Sequence, residues 1–167
     1  VETAIQAMKS GAYDYLTKPF SSEELLLVID RVRRLKTLEN ENLSLHLQLR
    51  ERYSMGEILG QSPAMQKVFD LMEICFTSDT TVLLEGETGT GKDLVASVMH
   101  YNSQRKNYPF VKMSCAALPH TLIESELFGH EKGAFTGAVR RKSGRVELAQ
   151  HGTVFLDEVD DIPAELQ

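Results

Sequence analysis

The run Gly86-Glu87-Thr88-Gly89-Thr90-Gly91-Lys92-Asp93 follows apolar Val82-Leu83-Leu84 and opens a helical pattern, and it restricts the fold more than any other stretch. A glycine-rich turn between a strand and a helix suggests a phosphate cradle. Glycines let successive backbone N–H groups approach an anion without a Cβ clash, and Lys92 adds a point charge at the helix N-terminus. A nucleoside triphosphate is the expected ligand. The usual P-loop places Ser or Thr after the lysine, where the hydroxyl meets Mg²⁺. Asp93 fills that position here. A carboxylate beside phosphates is repelled unless a metal or its waters intervene, so Asp93 either reaches the metal shell or points away. Taken alone, the motif also fits a strand-to-helix turn that holds no ligand.

The 167 residues suffice for one fair-sized domain or two small ones, with 42% hydrophobic and 25% charged residues. No apolar run approaches the ~20 residues of a membrane span, and the N-terminus has neither a basic region nor a signal core. The chain does not begin with Met and reads as a fragment. Cys75 and Cys115 have no paired spacing, and His46, His100, His120, His130 and His151 follow no ligand pattern. A reduced, cytoplasmic location without structural zinc is expected. A formal charge of −6 gives no general attraction to nucleic acid, so any DNA contact in this stretch must be local.

In chain order, Ala4, Ile5, Ala7 and Met8 begin a helical pattern, Ser10-Gly11 turns, and Tyr13-Asp14-Tyr15-Leu16-Thr17 implies a strand that stops at Lys18-Pro19-Phe20. Ser21 or Ser22 then caps a helix with Glu23 and Glu24 in its first turn. From Val32 to Tyr53 there is neither Gly nor Pro. Leu35, Leu38, Asn42, Leu45 and Leu49 alternate in three- and four-residue steps, with Asn42 at an a position. Such a seam favours a dimer in one register, while its short length equally suits a single helix packed on its own domain. Ser62-Pro63 signals another helix start, with Met65, Val68, Phe69, Leu71, Met72, Ile74 and Cys75 as its apolar set. A strand at 81–85, the glycine-rich turn, a helix from Lys92 to about His100 and a strand at 109–113 predict a βαβ unit and a parallel sheet.

Thr153-Val154-Phe155-Leu156-Asp157-Glu158 is an apolar strand ending in two acids, where a P-loop enzyme needs its carboxylates. Asp157 would hold Mg²⁺, and Glu158 would orient or deprotonate water. Between the two motifs, Gly133, Ala134, Phe135, Thr136, Gly137 and Ala138 form a small-residue loop with one large apolar group. Phe135 either tucks into the core or stands out as a contact tip for a protein partner.

The segment from Gly11 to Phe20 resembles the C-terminal third of a response-regulator receiver domain. The resemblance implies that Lys18 contacts a phosphoryl group across a cis Lys-Pro bond and that Tyr15 moves on activation. The phosphate-accepting aspartate of that family would precede Val1. From Glu124 to Ala138, with the motifs on both sides, the chain resembles the AAA+ domain of bacterial enhancer-binding proteins, and with the receiver-like start it resembles NtrC-type response regulators. The implied architecture is α/β: 1–33 the end of a flavodoxin-like receiver, 34–55 a helical linker, and 56–167 the first half of an AAA+ sigma-54 interaction domain. The implied activity is ATP hydrolysis that drives the GAFTGA loop, 133–138, against sigma-54 RNA polymerase, with Phe135 and Thr136 at the tip.

The same resemblance places Ile58 and Gly60 against the adenine and accepts an acidic residue at the position of Asp93. It also implies a ring of subunits, and DNA binding by a helix-turn-helix beyond Gln167. The sensor strand, which would lie between the strands at Val82 and Val154, and the arginine fingers would follow as well, so the chain alone is expected to lack appreciable ATPase activity. Two positions depart from the family. Ser114 stands where an Asn links the catalytic Glu to the loop, and a hydroxyl offers one donor where an amide offers two. Asp160 replaces a Gly and adds charge near the metal position. Arg140, Arg141, Lys142 and Arg145 beside the loop would reach DNA or a neighbouring subunit, or form a solvated charged face. The competing reading is a non-hydrolysing, dimerising interaction module.

Overall fold

The computed structural model describes residues 2–135 and 137–166. The chain divides into two compact units, 1–48 and 49–167.

In the first unit, α1 (Glu2–Lys9) ends in a turn at Ser10 and Gly11, and α2 (Ser22–Arg52) begins after the cis Lys18-Pro19 bond. Ser21 caps α2: its Oγ accepts the Glu24 N–H at 3.1 Å, and Glu24 returns the bond to the Ser21 N–H at 2.8 Å. This is a capping box. The strand expected at 13–17 is not formed. Extended backbone becomes a strand only where a neighbour takes its ladder bonds, and the described residues of the first unit contain no strand to do so. The helix runs unbroken through the 33/34 boundary expected from sequence, and none of its residues is buried. Leu35, Leu38 and Leu45 of the expected seam are 39%, 61% and 58% exposed.

In the second unit, a 3₁₀ turn (Met55–Glu57) precedes α3 (Pro63–Phe76), whose N-cap Ser62 accepts the Met65 N–H at 3.2 Å with Pro63 at the first position. Met72 is buried on the inward face, whereas Leu71 and Ile74, counted in the apolar set from the sequence, face outward. Inward positions here follow the 65, 68, 72, 75 spacing, and those two fall off that stripe. Helix α4 (Lys92–Asn102) packs on α3.

The sheet core is a parallel pair, β1 (Phe110–Ser114) and β4 (Thr153–Asp157), in the register Phe110↔Thr153 to Ser114↔Asp157. A parallel sheet was expected, with strands at 81–85 and 109–113 in one βαβ unit and a strand from beyond Gln167 between those at Val82 and Val154. Instead residues 81–87 form no strand, and Val82 and Leu83 are 41% and 69% exposed. Apolar content marks a strand candidate, yet pairing decides it, and no described strand borders this segment.

Side chains alternate across a strand, so the two faces of β1 serve different neighbours. Met113 joins Cys115, Ile123, Leu127 and Ile162 in the buried core, backed by Leu118 and Leu156. Ile123 and Leu127 come from α5 (His120–Phe128), which packs with α6 (Arg145–Leu148). Phe110, Lys112 and Ser114 share the opposite face, against α4 and the end of β4. Phe110 stacks on His100 with ring centroids 4.8 Å apart, and His100 Nδ1 lies 2.9 Å from Thr153 Oγ1. The C-terminus of α4 therefore meets the start of β4, and near its N-terminus Asp93 meets Lys112 of β1. Ligands of open α/β sheets bind at the C-terminal ends of the strands.

A two-residue antiparallel ladder, β2 (Gly129–His130) with β3 (Lys142–Ser143), closes the base of the loop at 131–141. The backbones nearly touch there. A Cβ on Gly129 would lie 2.4 Å from the Lys142 carbonyl oxygen, and one on Gly144 would lie 2.4 Å from the Gly129 nitrogen.

Candidate functional site

The residues of the glycine-rich turn, 86–91, are exposed. Gly89 and Gly91 have φ of 83° and 91°, a region that L side chains rarely adopt, and a Cβ at either would meet nothing within 4 Å. The N–H groups of Thr88, Gly89 and Gly91 donate to no backbone carbonyl among the described residues. The first-turn N–H groups of α4 have no partner within the helix either. The lysine folds across the turn, Lys92 Nζ donating to Gly86 O at 2.8 Å and to Glu87 O at 2.9 Å, while Thr90 Oγ1 donates to Glu87 O at 2.8 Å. Orphan donors, open space and a cation together fit a polyphosphate.

Of the two placements open to Asp93, the structure gives an ion pair: Lys112 Nζ stands 2.7 and 2.9 Å from its two carboxylate oxygens. Sequence reading missed Lys112. The available signal was alternation, since 110, 112 and 114 share the strand face that looks toward the turn.

Two positions along the same face, Ser114 Oγ donates to Glu158 Oε2 at 3.0 Å. Glu158 sits just beyond β4 in the left-handed region, φ 54° and ψ 49°, and its N–H donates to Asp157 Oδ1 at 3.1 Å. Among the described non-glycine residues, only His151 also has a positive φ. The Asp157 carbonyl accepts the Cys115 N–H at 3.0 Å. Burial pushes the Cys115 thiol up, and the nearby Asp157, Asp161 and Glu158 carboxylates add to the shift. No group of three or more His, Cys, Asp or Glu side chains among the described residues could hold a metal by itself. Asp160 lies exposed in the 3₁₀ turn Val159–Asp161.

The other expected residues lie apart from this cluster. Ile58 and Gly60 sit half-buried before α3, where a Cβ on Gly60 would come within 2.8 Å of Met65 Cγ. Lys18 and Tyr15 belong to the first unit. Tyr15 is 54% exposed and, with Ala4, Ile5, Met8 and Lys9, lines a shallow cavity of about 400 Å³.

In the small-residue loop, Gly133 N–H donates to Ala138 O at 2.9 Å and Ala138 N–H to Phe135 O at 3.0 Å, with Gly133 and Gly137 at φ of 86° and 111°. Ala138 is buried, and Ala134 and Gly137 are exposed. Phe135 is neither in the core nor fully free: it is 45% exposed and meets the His130 ring edge-on at 4.9 Å. Thr136 lies outside the described residues. The basic group beside the loop is largely paired within the chain. Lys142 and Arg145 meet Glu126, and Arg141 lies 3.2 Å from both Glu131 and Glu147.

Residues 58–167 match the family model described as the Sigma-54 interaction domain. The chain belongs to the sigma-54 interaction domain family. This bears out the resemblance to NtrC-type regulators, because the matching curated proteins of the family carry those names. The regulatory protein AtoC of Escherichia coli K12 is 47% identical over 167 residues, covering 100% of this chain and 36% of AtoC. The DNA-binding transcriptional regulator NtrC of Azospirillum brasilense is 47% identical over 165 residues, 99% of this chain and 34% of that protein. The C4-dicarboxylate transport transcriptional regulatory protein DctD of Rhizobium meliloti is 44% identical over 168 residues. The chain thus spans about a third of the length of these relatives. Among solved structures, NtrX from Brucella abortus in complex with ATP matches with a TM-score of 0.62 at 35% identity, covering 98% of this chain and 33% of NtrX. No helix among the described residues is long and apolar enough to cross a membrane.

Proposed function

We propose that the chain is part of an ATP-hydrolysing activator of sigma-54 RNA polymerase. The observation that carries the proposal is the occupied face of β1: Lys112 pairs with Asp93 beside the glycine-rich turn, and Ser114 bonds Glu158 beside Asp157. One strand thereby ties the phosphate-binding motif to the acids. In this reading the turn, from Gly86 to Gly91, and Lys92 hold the β and γ phosphates, and Ile58 and Gly60 border the adenine. Asp157 holds Mg²⁺, which when bound neutralises charge on the phosphate oxygens. Glu158 orients water and accepts its proton, and the Ser114 hydroxyl fixes the direction of that carboxylate. Ser114 is shorter than the amide usual at this position, yet the 3.0 Å bond supports a working tie between strand and base.

The loop from Gly133 to Ala138 then carries the motion to sigma-54, with Phe135 and Thr136 as its tip. Residues 1–33 are the end of a receiver in a two-component phosphorelay, with Lys18 and Tyr15 as its switch residues. Residues 34–55 are a linker that dimerises through Leu35, Leu38, Asn42, Leu45 and Leu49, and 56–167 are the first part of the AAA+ domain. The exposure of Leu35, Leu38 and Leu45 supports a second copy as their cover. Ring assembly, DNA binding through a further domain and a cytoplasmic location complete the reading.

The test is ATP hydrolysis by the full gene product and by its Glu158→Gln variant, with nucleotide affinity measured alongside. Retained binding with turnover lost is the expected result. Undiminished turnover in the variant would sink the assignment of the base, and an absence of turnover in the parent would favour a non-hydrolysing interaction module.

A further inference from the structure

We propose that Lys112 is a positioning residue of the nucleotide site: its ammonium neutralises Asp93, so that the glycine-rich turn accepts a highly charged polyphosphate. The inference rests on the nucleotide reading above.

Asp93 is the second residue of α4, directly after Lys92. A carboxylate at that point gains from the helix dipole and from the orphan N–H groups of the first turn. A phosphate ligand draws on the same field, so an unpaired Asp93 would both compete with it and repel it. Lys112 reaches Asp93 from a different element, β1, and its Nζ lies 5.3 Å from the Phe110 ring centroid. Both carboxylate oxygens are engaged, at 2.7 and 2.9 Å. The pair is half in solvent, with side-chain exposures of 39% for Lys112 and 60% for Asp93. As a prop for the fold such a pair contributes little. Its consequence lies in the charge presented to a ligand, which grows with the ligand's own charge.

The experiment is isothermal titration of the full gene product with Mg-ATP and with ADP at low salt. The proteins are the parent, Lys112→Met, Asp93→Asn, the double variant, and Lys36→Met as a control that changes net charge equally on exposed α2. Lys112→Met should weaken ATP about ten-fold and ADP about three-fold, because repulsion scales with ligand charge and is screened at this exposure. The double variant should return to within about two-fold of the parent, since removing both members of a pair removes the uncompensated charge. A double variant as weak as Lys112→Met would mean that Lys112 contacts the ligand itself, and would overturn the proposal. Unchanged affinity in Lys112→Met, or an equal loss in Lys36→Met, would overturn it as well. A parent that binds neither nucleotide would overturn the nucleotide reading and this inference with it.

Discussion

Replacing Glu158 by Gly and, separately, by Ala isolates the backbone strain stored at the proposed base. Both variants lose the carboxylate and its bond to Ser114 Oγ, so that loss cancels in the comparison. What remains is the left-handed conformation, φ 54° and ψ 49°. An L-residue with a Cβ is disfavoured there by ~1–2 kcal/mol, whereas Gly occupies the region freely. Against this, Gly loses more chain entropy on folding, at ~0.5–1 kcal/mol relative to Ala. The difference leaves Glu158→Gly more stable than Glu158→Ala by ~0.5–1 kcal/mol, opposite to the usual order of the two residues. Thermal unfolding of the 167-residue chain followed by far-ultraviolet circular dichroism would register this as a rise of about 2–4 °C in Tm, given ~4 °C per kcal/mol for a domain of this size. An Ala variant equal to or more stable than the Gly variant would refute the strained placement. Strain of this kind persists where the surroundings over-determine a functional side chain. Here those surroundings are Ser114 and the Asp157 carboxylate, which accepts the Glu158 N–H.

Cys115 is fully buried and Cys75 partly exposed, so at pH 8 a thiol reagent should modify Cys75 first and Cys115 only as fast as the unit opens; rapid modification of both would contradict the burial. Because burial pushes the Cys115 thiol up, the folded state keeps a proton that the unfolded chain releases above ~8.5. Its contribution is present below that pH and fades as pH rises through the folded value. The urea midpoint should therefore fall less steeply between pH 8 and pH 10 in Cys115→Ala than in the parent. Ser62→Ala removes the N-cap of α3 and should cost ~1 kcal/mol in urea unfolding; a change below ~0.3 kcal/mol would mean that the cap bond to Met65 contributes nothing.

The features legible in sequence were those written in local chemistry. Ser62-Pro63 marked the start of α3, the glycines and Lys92 marked the turn into α4, and Asp157 and Glu158 closed an apolar strand as expected. The segments 13–17 and 81–85 carried the composition of strands, but a strand also needs a neighbour, and neighbours are set by topology rather than by local pattern. Lys112 was illegible for a related reason. Nothing around position 112 announces an ion pair with Asp93, and the pair exists only because α4 runs back along the face of β1. The basic residues after the loop read either as a solvated charged face or as a surface for DNA or a second subunit, and Glu126, Glu131 and Glu147 answer three of them within the chain. Ser114 is the opposite case. A shorter side chain suggested a weakened tie to Glu158, and the parallel register that sets Ser114 opposite Asp157 brings the hydroxyl within reach.

The central claim is that residues 86–93 form a working phosphate cradle, and the most direct measurement is Mg-ATP affinity in the parent chain and in Lys92→Ala. Lys92 Nζ now spans Gly86 O and Glu87 O, so its removal should leave the fold intact while depriving the ligand of its one point charge from the turn. Binding by the parent, weakened at least ten-fold in Lys92→Ala with Tm unchanged, is the predicted result. Equal affinity in the two proteins, or no binding by the parent, would contradict the account.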